Sequence, residues 1–157
     1  AGSTGEAGHL SMKERLQLFD AVRAVTPADI PLLLGTGDLP AGVSIPDLTK
    51  RAAEHGASAA LVLSPRLGDV RSFYGEVVAA AGSMPVLAYH WPKVSPPGIE
   101  IEDLLATKVA GLKDSTGDTA RMLEKELQQT VLGRAELDRL AGARHPPLFT
   151  VELEIAP

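Results

Sequence analysis

The sequence predicts an α/β fold made of repeated strand–helix units around a parallel sheet. Short apolar runs alternate with longer amphipathic segments. The runs begin at residues 30, 58, 85 and 109, between 24 and 28 residues apart, and glycines or capping residues mark the junctions. Strand, loop, helix and strand joined by short connections are the units of a parallel sheet with right-handed crossovers. Two architectures satisfy this pattern, a closed (β/α)8 barrel and an open doubly wound sheet, and the periodicity does not separate them. A complete barrel needs about 250 residues, and the chain has 157.

The elements follow in chain order. The first helix is expected over 11–25 (SMKERLQLFDAVRAV), where Met12, Leu16, Phe19 and Val22 form one stripe and Ser11 with Glu14 forms a capping box. Strands are expected at 30–37 (IPLLLGTG), 58–64 (SAALVLS), 85–91 (PVLAYHW) and 109–113 (VAGLK). Each is apolar through most of its length, as a strand buried on both faces is. Helices fill the gaps at about 44–55, 69–81, 100–106 and 117–129, with Gly56 and Gly82 at the expected C-terminal caps. A further strand is expected at 130–133 and a short helix at 135–142. The segment 147–157 (PLFTVELEIAP) alternates like an edge strand and breaks the rhythm. The expected organisation is a partial barrel-type domain over 1–143 and a divergent tail over 144–157.

Composition narrows the function classes. Hydrophobic residues make up 45% and charged residues 22%, which is globular. The net charge is −5 with no basic cluster, so nucleic acid is not an expected partner. No apolar run is long enough to span a bilayer, so no membrane association is expected. The chain has no cysteine, which removes thiolate chemistry and disulfides and fits a cytoplasmic setting. It opens on Ala1, straight into a motif, as a non-natural N-terminus would.

In either architecture ligands bind at the carboxyl ends of the strands. The polar residues expected there are the loop 2–6 (GSTGE), 35–38 (GTGD), Ser64, Tyr89, His90 and Lys113. Lys113 closes an apolar strand directly before a polar turn. An ammonium in a dry pocket is driven towards its neutral form, a nucleophile for carbonyls; the bland reading is a lysine reaching solvent or pairing with Asp114. Tyr89 ends the preceding strand, so the two should face one mouth, where a phenol can shuttle protons. Its bland reading is a half-buried ring whose hydroxyl finds a backbone partner. His9, His55, His90 and His145 lack metal-ligand spacing, and strand alternation turns His90 away from the Tyr89 side. Ser64 and Ser115 lack triad partners.

Taken in order, GSTGE, PLLLGTGD (31–38), GASAALVLSP (56–65), PVLAYHWP (85–92) and VAGLKDSTGD (109–118) closely resemble the dihydrodipicolinate synthase/N-acetylneuraminate lyase family. The resemblance runs from Gly2 to about Leu127. It implies a (β/α)8 barrel with its first strand and last strands missing here, so that about five to six units remain. It implies a class I aldolase or lyase acting on pyruvate or a related 2-oxo acid through a lysine iminium, without metal or organic cofactor. By position Lys113 matches the Schiff-base lysine, Tyr89 the acid/base tyrosine, and Ser3 and Thr4 the paired hydroxyls of the carboxylate-binding loop.

The departures bear on substrate. The stretch 65–69 (PRLGD) lacks the two tyrosines usual in dihydrodipicolinate-forming members. Val94 stands where an arginine for the second substrate's carboxylate is usual, His90 replaces a common asparagine, and Trp91 is unusual. These departures count against lysine-biosynthetic activity and point toward another acceptor or donor; the enzyme the resemblance implies is a dihydrodipicolinate synthase-like lyase or a related 2-oxo acid aldolase. An incomplete barrel exposes sheet edges, so a homo-oligomer is expected. The alternative to a working enzyme is a degenerate, inactive fragment that binds a small carboxylate or a partner chain.

Overall fold

The computed structural model describes residues 6–37 and 43–117. Within them, the strands β1 (Leu33–Gly35), β2 (Ala59–Leu63), β3 (Val86–His90) and β4 (Gly111–Asp114) form one sheet. The helices are α1 (Met12–Val25), α2 (Ile45–Glu54), α3 (Val70–Ala81) and α4 (Ile101–Leu105). A 3-10 turn at Ala7–His9, which the periodicity does not announce, precedes α1. The expected elements beyond Gly117, with the tail 144–157, lie outside the described residues. So do Ser3 and Thr4.

The helix starts obey their caps. The Ser11 hydroxyl accepts from the Glu14 backbone N–H while the Glu14 carboxylate accepts from Ser11, closing the expected capping box. These bonds hold the Glu14 carboxyl below its usual range. The Ser44 hydroxyl and Asp69 carboxylate cap α2 and α3 by accepting the backbone N–H groups of Asp47 and Ser72. The first strand is shorter than its apolar run because Pro31 has no N–H and the Leu32 N–H is taken by the Ser58 hydroxyl.

All neighbouring strands are parallel and lie in the order β1-β2-β3-β4. Leu34, Ala60, Val62, Val86 and Ala88 share one buried core with Leu16 and Phe19 of α1, Leu48 and Ala52 of α2, and Tyr74 and Val77 of α3. The helices thus cover one face of the sheet. A doubly wound sheet reverses its strand order and carries helices on both faces; sequential strands with helices on one side are consecutive units of a (β/α)8 barrel. On the opposite face the register sets Gly35, Leu61, Leu87 and Gly111 in one row and Leu63, Tyr89 and Lys113 in the next. This face is the barrel lining. It is less covered, with Leu33 43% exposed.

Two expectations need correction. Val22 was expected in the α1 core stripe but is 41% exposed, because Leu16 and Phe19 already fill the contact with the sheet. β4 was expected to be a buried strand, yet each of its residues is only partly buried, since among the described strands it pairs with β3 alone.

Tyr74 ties the helix layer to the sheet. Its ring is fully buried and its hydroxyl donates to the Val62 carbonyl at 2.9 Å. Burial pushes this phenol well above the usual tyrosine range, and the Tyr89 backbone only partly offsets it.

Candidate active site

Tyr89 and Lys113 are register partners on adjacent parallel strands, so both side chains project from the lining face at the carboxyl end of the sheet. The Lys113 Nζ lies 3.7 Å from the centroid of the Tyr89 ring. This is a cation–π contact, and it places the partly buried lysine against the tyrosine ring. Asp114 is the last residue of β4. Its carboxylate accepts from the backbone and hydroxyl of Thr116, at 2.8 Å and 2.6 Å, and so forms the turn after β4. Trp91 stacks on Tyr89, with ring centroids 5.9 Å apart and planes 25° from parallel.

The other polar residues at the strand ends build the frame rather than the pocket. His90 is 1% exposed on the helix side of β3, where its Nδ1 accepts from the Ile99 N–H at 2.9 Å. That bond assigns the ring proton to Nε2 in the neutral form. Ser64 was expected at the mouth but is buried. The Ser95 hydroxyl donates to the Ser64 carbonyl at 2.6 Å, and the Ser64 hydroxyl reaches the Ser95 carbonyl at 3.5 Å. Thr36 is also buried and accepts from the Thr49 hydroxyl at 2.8 Å. Gly37 packs so closely against β2 that a Cβ there would lie 2.5 Å from the Leu63 nitrogen.

Sequence reasoning passed over two residues. Arg15 reads as a solvent-facing charge on α1. It is instead 1% exposed, with its guanidinium donating to the carbonyls of Ala7, Gly35 and Gly37. It joins the backbone just after the 2–6 loop to the end of β1. Trp91 was read only as unusual, although a ring two residues beyond Tyr89 in extended chain falls on the same face.

The groove between α1 and β1, lined by Arg15, Leu18, Phe19, Val22 and Leu33, lies at the far edge of the sheet from β4. Among the described residues no cluster of His, Asp or Glu is arranged to hold a metal ion. No helix among them is long and apolar enough to cross a membrane.

Sequential parallel units with helices on one face, and a lysine–tyrosine pair at their carboxyl ends, are the frame of a (β/α)8 barrel with polar groups at its mouth. The chain belongs to the dihydrodipicolinate synthetase family, whose model matches residues 1–133. It is 32% identical over 127 residues to the 4-hydroxy-tetrahydrodipicolinate synthase of Methanococcoides burtonii, a match covering 74% of this chain and 42% of that protein. With the enzyme of the same name from Bdellovibrio bacteriovorus it shares 34% identity over 124 residues, again 74% of this chain and 42% of the relative. Among solved structures, a catalytic-lysine mutant of the Ruminococcus gnavus sialic acid aldolase superposes with a TM-score of 0.69 at 16% identity. That match covers 84% of this chain and 45% of the aldolase, and at this identity it speaks for the fold. The chain spans less than half the length of these relatives.

Proposed function

We propose that the chain carries the chemistry of a class I, Schiff-base lyase or aldolase acting on pyruvate or a related 2-oxo acid. The observation that carries this is the pairing of Lys113 with Tyr89, register partners whose side chains meet at the strand mouth. The Lys113 amine adds to the 2-oxo carbon to give a carbinolamine. Loss of water gives an iminium, which accepts the electron pair released when a proton or a carbon substituent leaves C3. The Tyr89 phenol carries protons to and from the carbinolamine oxygen and the departing group. Ser3 and Thr4, in the glycine-rich loop, seat the carboxylate through backbone N–H groups. The iminium is itself the electron sink, so the reaction proposed uses no other cofactor.

With this goes a domain spanning 1–143, a cytoplasmic setting, and self-association that covers open sheet edges such as β1, where Leu33 is exposed. Similarity to 4-hydroxy-tetrahydrodipicolinate synthases supports a small-molecule substrate. The acceptor is a separate matter, since Val94 and Trp91 stand where the synthases of the family usually carry other residues.

Enamine formation can be read without knowing the acceptor. In deuterated water the chain is expected to exchange the methyl protons of pyruvate, seen as loss of the methyl signal by NMR. Lys113→Ala should abolish exchange, and Tyr89→Phe should slow it by about a hundredfold or more, the usual contribution of a positioned acid–base group. Exchange that survives in Lys113→Ala would refute the assignment. A folded wild-type chain that exchanges no faster than buffer would favour the inactive, carboxylate-binding reading.

A further inference from the structure

We infer that Trp91 is a positioning residue for Tyr89, holding the phenol in the orientation from which it moves protons at Lys113. The inference rests on the function proposed above and adds a residue to it.

Neither Tyr89 nor Trp91 belongs to the buried core cluster, and both are only partly buried. Tyr89 therefore lacks the close packing that fixes a core side chain in one rotamer. Among the described residues its ring meets the Lys113 amino group at 3.7 Å and the Trp91 indole at 5.9 Å between centroids. The lysine contact cannot serve through the reaction. Once Nζ is bonded to substrate it is no longer the same free ammonium against the ring. The Trp91 ring contact does not depend on Nζ and persists.

The mounting of Trp91 suits that task. Its carbonyl accepts from the backbone N–H groups of Val94 and Ser95, both at 2.9 Å. Ser95 is fully buried and bonded to the Ser64 carbonyl at the end of β2, and the Arg66 Nε donates to the Val94 carbonyl at 3.2 Å. The turn after β3 is thereby pinned to the end of the neighbouring strand, so the indole is presented from a fixed backbone. A side chain in a functional site is held best when its supporting shell is itself locked.

A double-mutant cycle on pyruvate methyl exchange tests this. Trp91→Ala is expected to slow exchange by roughly three- to tenfold, the kinetic equivalent of losing one aromatic pair. Trp91→Phe, which keeps a stacking ring, should restore most of the rate. In a Tyr89→Phe background, where the hydroxyl is gone, Trp91→Ala should have less than about a twofold further effect, because coupled residues are not additive. Trp91 is the chain's single tryptophan, so its emission should also change in Tyr89→Ala. Equal rates for wild type and Trp91→Ala would overturn the inference while leaving the Schiff-base reading intact. The same slowing in both backgrounds would overturn it too, showing that Trp91 acts on something other than the phenol. Absence of exchange in the wild type would remove the underlying reading and this inference with it.

Discussion

Arg15→Met is expected to destabilise the chain by about 3 kcal/mol or more, a large share of the 5–15 kcal/mol that a domain typically holds. Arg15 is 1% exposed and donates to three backbone carbonyls, those of Gly35 at 3.1 Å, Gly37 at 2.7 Å and Ala7. Methionine fills similar space without a donor. Buried carbonyls that lose their partner each cost about 1–3 kcal/mol, more where the lost bond was to a charged group. Arg15→Lys should recover only part of the loss, because a single ammonium does not reproduce a planar fork that reaches several acceptors. Urea titrations read by circular dichroism give both values. A loss under about 1 kcal/mol for Arg15→Met would show that the carbonyls find other donors.

Gly98→Ala is expected to destabilise by about 2–4 kcal/mol, from backbone strain added to overpacking. Gly98 has φ +91°, a conformation that L-residues rarely adopt. Its added Cβ would lie 2.5 Å from the His90 Cε1 and 2.8 Å from Nδ1. The imidazole has little room to retreat, since it is 1% exposed and accepts the Ile99 N–H. Gly56→Ala is the control. Gly56 also has a positive φ, +80°, but its added Cβ meets nothing within 4 Å, so it carries only the strain, about 1 kcal/mol. Equal losses at the two glycines would contradict the packing around His90.

The frame was legible because apolar runs alternate with amphipathic segments, three of which open on capping residues. The serine at 11 with glutamate at 14, the serine at 44 and the aspartate at 69 all cap the helices they were expected to start. Alternation alone turned His90 to the helix side and left Tyr89 on the lining face. The pairing of Tyr89 with Lys113 followed from placing both at the ends of successive strands, and the register agrees. Whether the sheet belonged to a barrel was not in the periodicity; the strand order and the single helix-covered face decided it. Arg15 could not be read, because it is held by the carbonyls of Ala7, Gly35 and Gly37, groups that every residue carries and no side-chain pattern marks. The Ser64–Ser95 lock joins two loops 31 residues apart by contacts to main chain, and it too has no signature in sequence.

The central claim is that Lys113 forms a Schiff base. The most direct measurement is incubation of the chain with pyruvate and borohydride, followed by intact mass and peptide mapping. The account predicts a reduced pyruvate adduct on the peptide that carries Lys113, absent in Lys113→Ala. An unmodified Lys113 in a cooperatively folded sample, or an adduct that maps to other lysines alone, would contradict it.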